Sequence, residues 1–367
     1  MKTRACLVSI LLLLCCTRAQ AQKAKAPAAL PLSGDVQGTH DPSIIKEGDT
    51  WYVFSTTRGR GGELPVRCSN DLKEWKRCGD VLPTIPDWIK QDSPGTRNLW
   101  APDISYFDGL YHLYYVYSIF GKNTSGIALL TNKTLDPSSP NFHWADQGLV
   151  LRSVASDDFN AIDPNLAIDK KGGTWLVFGS FWSGIKLRRI DRATGKLSTQ
   201  DKTQYSLAIH YAERSPNAQS PPANASATPV APNPSSTAQR PASSAGPHAI
   251  EAPFIVHKGR FYYLFVSVDF CCRGAQSTYK VTVGRAGKIT GPYVDATGKP
   301  MTEGGGTLLL SGNSKWAGPG GESVLLQKSG GIIVYHAYDA HTGQPSLQIS
   351  TIAWVKGWPK AAIKAGP

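Results

Sequence analysis

Short blocks of apolar and polar residues run along most of the chain, and each block ends at a turn. In THDPSIIKEGDTWYVFST, residues 39–56, a short apolar segment precedes a Gly-containing turn and a second segment rich in aromatic and β-branched residues. This order is typical of a β-hairpin. Few stretches have a helical period, so the pattern predicts an all-β protein rich in turns.

The hairpin pattern recurs in four further segments, each with a proline near its start. They are WAPDISYFDGLYHLYYVYS (100–118), IDPNLAIDKKGGTWLVFGS (162–180), EAPFIVHKGRFYYLFVS (251–267) and the more divergent GPGGESVLLQKSGGIIVYHAY (318–338). The motif prolines are Pro42, Pro102, Pro164, Pro253 and Pro319. Their spacing is about 60 residues, except for the interval of 89 residues before Pro253.

A biased insertion explains the long interval. Residues 215–246 are rich in Pro, Ala and Ser and carry a single charge, at Arg240. Such a segment buries too little apolar surface to fold, so we predict a disordered surface insertion. Five copies of a β unit of about 60 residues then predict a five-bladed β-propeller over residues 34–367. An array of separate small domains is the alternative, with a marginal core in each.

The N-terminal residues are typical of a leader. A basic start, a short apolar run and the small residues Ala19 and Ala21 predict a secretory signal peptide at 1–21, followed by a linker at 22–33. The run is too short to span a bilayer as a helix. We therefore expect a secreted protein, extracellular or periplasmic, that is not bound to a membrane. A lipid anchor at Cys15 or Cys16 is the alternative.

Four cysteines remain once the leader is removed. Cys68 and Cys78 flank a turn, and they either close a small disulfide loop or stay as thiols. Cys271 and Cys272 are adjacent on a predicted strand, where neighbours point to opposite faces, so we expect one of them to be buried. The wide spacing of the four is unlike that of a cysteine metal cluster.

The distribution of charge along the chain argues against a nucleic-acid partner. The formal charge of +12 becomes +9 when Lys2, Arg4 and Arg18 leave with the leader. The remaining basic residues are scattered and form no stripe beside exposed aromatic residues, as a nucleic-acid-binding surface would require. A basic surface of this kind suits an anionic neighbourhood.

Acidic residues stand at equivalent points of different repeats. Asp41, Asp163 and Glu251 precede or open the first strand of their repeats, and a propeller brings such positions to one face. A lone Asp-Pro is more often a turn former. Three acids in one cleft, however, can divide into a protonated donor and an ionised base, as glycosidic bond hydrolysis requires. Asp103 follows its motif proline, so we interpret it as structural.

Several motifs resemble one enzyme family. THDPS, WAPD, FGSFWSGI, DFCCRG and EGGGTLLL closely resemble the endo-α-1,5-L-arabinanases of glycoside hydrolase family 43, over about residues 34–358. The resemblance implies a five-bladed propeller that cuts internal links of arabinan, a side chain of pectin, with inversion. It also implies roles: Asp41 as general base, Glu251 as general acid, and Asp163 as the residue that orients the acid and tunes its pKa.

Two alternatives stay open. HDPS is shared with the exo-acting arabinofuranosidases and β-xylosidases of the wider family, and a non-catalytic sugar-binding propeller is a third reading of the fold. The presence of all three acids argues against binding alone. We expect a monomer that acts on a polysaccharide.

The resemblance further implies a metal and sugar contacts. His336 matches the histidine that holds a calcium ion on the propeller axis with waters in the family, although a lone histidine is more often part of a core. GPGGE at 318–322 replaces the GPGHN of many relatives, so a contact at the groove or the metal shell is expected to differ. Flat aromatic faces match sugar rings, and the predicted substrate contacts are His40, Trp100, Phe120, Trp182, Asn160, Asn165 and Ser180.

Overall fold

The computed structural model describes residues 26–58, 61–211, 248–327 and 330–365. These residues are almost entirely strand and turn, with one short α-helix, α1 (Asp87–Asp92), and two single-turn 3-10 helices, Gly274–Gln276 and Met301–Glu303. The predicted signal peptide at 1–21 and the predicted insertion at 215–246 lie outside the described residues. No helix of the described ranges is long and apolar enough to cross a membrane.

The strands form five sheets, and each sheet is built from consecutive strands. Blades one and two contain β1 (Ser33–Gly34), β2 (Ser43–Glu47), β3 (Thr50–Phe54), β4 (Glu63–Ser69) and β5 (Glu74–Leu82), then β6 (Leu99–Phe107), β7 (Leu110–Tyr117), β8 (Ser125–Asn132) and β9 (Ala145–Ser153). Blade three contains β10 (Asn165–Ile168), β11 (Thr174–Phe178), β12 (Ile185–Asp191), β13 (Lys196–Leu197) and β14 (Gln204–Ala208).

The last two blades follow the same plan. Blade four contains β15 (Ile250–Lys258), β16 (Phe261–Val268), β17 (Lys280–Ala286) and β18 (Thr307–Leu310), and blade five contains β19 (Trp316–Gln327), β20 (Gly330–Asp339), β21 (Pro345–Val355) and β22 (Trp358–Lys360). From β2 onward, successive strands within a blade pair antiparallel, except that β14 pairs with β12 beside β13.

The first full strand of each blade lies innermost. Strands β2, β6, β10, β15 and β19 contact one another in that order, and β19 also contacts β2. The ring is therefore closed, and the predicted five-bladed β-propeller is confirmed.

Aromatic and β-branched residues fill both faces of the inner strands because the blades stack face to face. All residues of β7 except Leu110 are buried, for example. Buried apolar residues of the described chain form one cluster between each pair of neighbouring blades. Burial on both faces explains why these strands are nearly continuous apolar runs rather than alternating ones.

The N-terminal segment joins the two ends of the ring. The Leu30 amide donates to the Ile349 carbonyl of blade five at 2.8 Å, and β1 pairs in parallel with β5 of blade one. The described part of the predicted linker, residues 26–33, is thus bound to the ring, because its backbone finds partners on both blades.

Both cysteine pairs form disulfides. Cys68–Cys78 joins β4 to β5, and Cys271–Cys272 links neighbours in the connection between β16 and β17. Neither Cys271 nor Cys272 is fully buried, so the expectation of one buried cysteine was wrong. The reason is that both residues lie in a turn and not on a strand.

Candidate active site

The start of every innermost strand repeats one backbone conformation. The five residues with positive φ at this point are Asp41 (49°), Ala101 (39°), Asp163 (55°), Ala252 (50°) and Gly321 (59°). Four of the five carry a side chain, and a non-glycine residue in this region costs on the order of 1–3 kcal/mol. Such conformations persist where the surrounding structure holds them, as at a functional site.

This repeat corrects the phase of the fifth motif. In blades one to four the next residue is the motif proline, but in blade five it is Glu322. Pro319 lies three residues too early to be the counterpart of Pro42, so its assignment as the fifth motif proline was wrong.

The side chain of the residue directly after the proline position joins one blade to the next. This residue is Ser43, Asp103, Asn165 or Ser323, and each accepts a hydrogen bond from a neighbouring blade. The backbone amides of Ile44, Ile104, Leu166 and Ile255 donate to side chains of Ser323 (3.2 Å), Ser43 (3.1 Å), Asp103 (2.8 Å) and Asn165 (2.9 Å), respectively. The Asn165 amide group also donates to Asp103 at 3.1 Å.

Asp103 is therefore structural. Asn165 lies outside the cleft with both of its polar groups used, which corrects its prediction as a sugar contact.

A cleft of about 730 Å³ opens on one face of the ring and is lined by residues of blades one to four. Asp41, Asp163 and Glu251 all line it, although they come from three different blades. The cleft also contains every predicted sugar contact except Asn165, namely His40, Trp100, Phe120, Asn160, Ser180 and Trp182.

Asp41 is held as an anion. Its Oδ2 accepts a 2.6 Å hydrogen bond from the Thr56 hydroxyl and lies 2.8 Å from Nδ1 of His40. Burial alone would raise the pKa of Asp41, but the charge and hydrogen bond of His40 and the Thr56 bond outweigh burial. The pKa of Asp41 therefore lies well below its usual range.

Glu251 is held closer to its protonated form. Tyr279 and Ser180 donate 2.7 Å hydrogen bonds to its Oε1 and Oε2, respectively. Burial raises the pKa of Glu251, these two bonds lower it, and the charge of Asp41 raises it, so the net shift is upward. The Ser180 hydroxyl is thus used by Glu251, a role that its prediction as a sugar contact did not foresee.

Asp163 connects the other two acids. Its Oδ2 accepts a 3.0 Å hydrogen bond from the amide of Ala252, the residue directly after Glu251. Burial raises the pKa of Asp163 well above its usual range, and the charges of Glu251 and Asp41 add to the rise. Neighbouring buried carboxyls that repel each other titrate as a pair and retain a proton between them.

Aromatic residues border the cleft. The Phe120 side chain is 73% exposed, so it presents a free ring face. Trp100 is oriented by a 2.8 Å bond from its indole nitrogen to Asn98 Oδ1. Asn160 also lines the cleft, and its Oδ1 accepts from the Ser125 hydroxyl at 2.7 Å.

No sequence motif pointed to two contributors to the site, Tyr279 and Thr56. Tyr279 lies just before β17, and Thr56 lies just after β3. Only the closed ring shows that each of them reaches a carboxyl group.

A cluster of three side chains beside the acids could hold a metal ion. One potential ligand atom each of His40, Asp41 and His336 lie within 4.8 Å of one another. His336 is fully buried, its Nδ1 accepts a 3.2 Å bond from the Asp41 amide, and its Nε2 has no partner among the described residues. Burial, together with the charge of His40, holds the pKa of His336 well below its usual range, so its imidazole is neutral, the form that binds metals.

One cleft of this propeller holds an ionised carboxylate and a second carboxyl with a raised pKa. Hydrolysis of a glycosidic bond requires such a pair. Residues 36–359 match the family described as glycosyl hydrolases family 43, and the chain belongs to that family. The predicted family is thereby confirmed.

Within this family, the chain is similar to proteins whose names describe activity on arabinan. The chain is 43% identical over 324 residues to the extracellular endo-α-(1→5)-L-arabinanase 1 of Bacillus subtilis (strain 168), spanning 87% of this chain and 86% of the relative. It is 40% identical over 341 residues to the extracellular exo-α-(1→5)-L-arabinofuranosidase ArbA of Cellvibrio japonicus (strain Ueda107), spanning 92% and 90%. The solved α-L-arabinanase of Cellvibrio cellulosa complexed with arabinohexaose has a TM-score of 0.77 and 39% identity, covering 88% of this chain and 95% of that one.

Proposed function

We propose that this chain is an arabinan endo-1,5-α-L-arabinosidase, a glycosidase that hydrolyses internal α-1,5-L-arabinofuranosyl links with inversion. The observation that carries the proposal is the meeting of Asp41, Asp163 and Glu251 in one cleft, with opposite pKa shifts on Asp41 and Glu251. The endo-acting relative and the arabinohexaose complex of a solved relative support the substrate.

Asp41 acts as the general base. Its carboxylate takes a proton from a water molecule, and the water oxygen forms a bond to the anomeric carbon. The lowered pKa keeps this carboxylate free to accept a proton over most of the pH range. The bonds from Thr56 and His40 occupy Oδ2, which leaves Oδ1 for the water.

Glu251 acts as the general acid. It donates its proton to the glycosidic oxygen as the bond from that oxygen to the anomeric carbon breaks. After this step Glu251 is a carboxylate and Asp41 is protonated, and proton exchange with solvent restores both. The raised pKa of Glu251 supports this role because the donor must be protonated before the reaction.

Asp163 positions the acid and tunes its pKa. Its bond to the Ala252 amide fixes the backbone next to Glu251. The charge of Glu251 raises the pKa of Asp163, and two buried carboxyls that repel each other hold a proton between them, which keeps a proton available at the site.

Sugar rings are held by the border of the cleft. Phe120, Trp100 and Trp182 offer aromatic faces to arabinose units, and His40 and Asn160 face the same cavity with polar groups. Ser180 lines the same cavity and donates to Glu251.

We also assign one calcium ion to the axis beside Asp41, with His336 as a ligand. The unpaired Nε2 atom of His336 supports this assignment. When bound, calcium supplies positive charge that favours the ionised form of nearby carboxyls.

The protein acts outside the cell as a monomer, with 1–21 as its signal peptide. The extracellular relatives support this location. The net positive charge of the chain retains it on galacturonate-bearing pectin, and loss of retention at raised salt is the test.

An exo-acting enzyme is the second candidate, favoured by the 40% identity to ArbA. The two activities differ in their first products from linear arabinan. Chromatography of early time points should show a ladder of oligosaccharides if the chain is endo-acting. Release of a single small product from the start would support exo action instead.

A further inference from the structure

A second, much smaller cavity adjoins the cleft. It has a volume of about 30 Å³ and is lined by the five residues with positive φ, including Asp41 and Asp163, and by the residues that directly follow them. A space of this size holds a water molecule or one ion. Because the five innermost strands surround it, the cavity lies on the propeller axis.

Glu322 lines this axial cavity with an unpaired oxygen. Its side chain is only 5% exposed. The Ser267 hydroxyl donates to Oε2 at 2.6 Å, and Ser267 in turn accepts a 2.9 Å bond from the Gly321 amide. Oε1 is buried and has no hydrogen-bond partner within the described part of the chain.

The position of Glu322 sets it apart from its four counterparts. In the other blades the same position is a proline, and Pro42, Pro102, Pro164 and Pro253 all line the cavity with apolar rings. A buried acceptor without a partner costs about 1–3 kcal/mol. A carboxyl group at this point therefore requires a partner inside the cavity.

The His336 ring lies next to Gly321, the residue before Glu322. A Cβ atom placed on Gly321 would lie 2.8 Å from the His336 ring and 2.5 Å from Asp41 Oδ1. The backbone that carries Glu322 thus packs directly against the His336 imidazole, and only glycine fits between them. His336 does not itself line the axial cavity, so the unpaired atom on a residue that lines it is that of Glu322.

We propose, resting on the calcium assignment made above, that Glu322 is a direct protein ligand of the divalent cation on the axis. Calcium prefers oxygen ligands, and carboxylates are its strongest protein ligands. When one imidazole is the only protein ligand, water molecules fill the other coordination positions of the ion. A carboxylate takes one or two of these positions, and its negative charge strengthens the binding of the cation. The cation in turn offsets the repulsion among Glu322, Asp41 and Asp163, which act on one another electrostatically.

Calorimetry without substrate tests this ligand role independently of the hydrolytic activity. The full chain is treated with EDTA, dialysed and titrated with CaCl₂. Glu322→Gln keeps the shape and the acceptor for Ser267 but removes the charge, so its calcium affinity should fall at least about tenfold. The rise in melting temperature on adding calcium should shrink in the same variant.

Glu63→Gln is the matched control. Glu63 is a buried carboxyl on β4 that accepts a 2.8 Å bond from the Leu99 amide, and it does not line the axial cavity. This variant should bind calcium like wild type. Equal affinity of Glu322→Gln and wild type, or no calcium binding by wild type, would overturn the proposal.

A structure of calcium-soaked wild type covers the case in which Glu322→Gln does not fold. A Glu322 oxygen should lie about 2.3–2.6 Å from the ion. An ion separated from Glu322 by a water, or a water alone in the cavity, would contradict the assignment.

Discussion

Tyr279 donates a 2.7 Å hydrogen bond to Oε1 of Glu251 from a fully buried position. Burial and the charge of Glu251 raise the pKa of Tyr279 well above its usual range, so this phenol stays protonated and can only donate to the carboxylate. The bond favours the ionised form of Glu251 and opposes the effect of burial. Tyr279 therefore limits how far the pKa of the proposed acid rises.

Replacing Tyr279 with phenylalanine should extend activity to higher pH. The proposed acid must be protonated, so the alkaline limb of kcat/KM follows the pKa of Glu251 in the free enzyme. Loss of the Tyr279 bond removes a contact that lowers this pKa, and the limb should move upward. Profiles on linear arabinan from pH 4 to 10 measure the shift.

Tyr335→Phe is the control for this profile. Tyr335 is also fully buried, but it lies on β20 and does not line the cleft. The alkaline limb of the kcat/KM profile of Tyr335→Phe should match that of wild type. A downward shift or an unchanged limb in Tyr279→Phe would contradict the proposed role of the bond.

Phe120→Ala should weaken binding of long oligosaccharides. Burying a phenylalanine ring contributes about 1.5–3 kcal/mol, so KM for arabinohexaose should rise at least about tenfold with little change in kcat. Steady-state kinetics measures both constants. Tyr106→Ala, at a residue that is 54% exposed but outside the cleft, should leave KM unchanged. An equal effect of the two variants would remove Phe120 as a sugar contact.

Asp103 should make the fold less stable as pH rises. Burial raises its pKa to about 6 from the ordinary 3.8, despite the bonds from Leu166 and Asn165. The folded state then holds the proton more tightly than the unfolded chain, and the free energy of unfolding falls by about 2.5 kcal/mol between pH 3.5 and 6.5.

Urea unfolding of wild type and Asp103→Asn at these two pH values measures this contribution. The asparagine cannot titrate, so the variant should lose about 2.5 kcal/mol less than wild type over the interval. The same pH dependence in both proteins would show that the pKa of Asp103 is not raised by folding.

The repeat along the chain was enough to predict the ring, but not its phase in every blade. The Asp-Pro and Ala-Pro steps at Pro42, Pro102, Pro164 and Pro253 mark the innermost strands correctly. In blade five the only nearby proline, Pro319, misled the alignment, because the equivalent position is Glu322. The positive φ of Gly321 reveals the correct phase, and a sequence pattern does not contain that angle.

The acids were predictable and their partners were not. Asp41, Asp163 and Glu251 lie at repeat boundaries, where topology brings them together. Ser180 was predicted to bind sugar, yet the nearest acceptor is Glu251, which lies 71 residues away along the chain. Asn165 was likewise assigned to sugar, but the neighbouring blades use its amide group. Such choices among partners depend on distances across the ring.

Leaving-group dependence tests the division of labour between Asp41 and Glu251. A substrate with an acidic phenol as leaving group needs no proton from an acid, whereas attack of water still needs the base. Glu251→Gln should therefore lose about 10²–10⁴-fold on arabinan but much less on a dinitrophenyl arabino-oligosaccharide. Asp41→Asn should lose activity on both substrates alike.

The most direct measurement is kcat/KM of Glu251→Gln on arabinan and on the dinitrophenyl substrate, side by side with wild type. The account predicts a large loss on arabinan and near-normal turnover of the activated substrate. Equal losses on both substrates, or an undiminished rate on arabinan, would contradict the assignment of Glu251 as the proton donor.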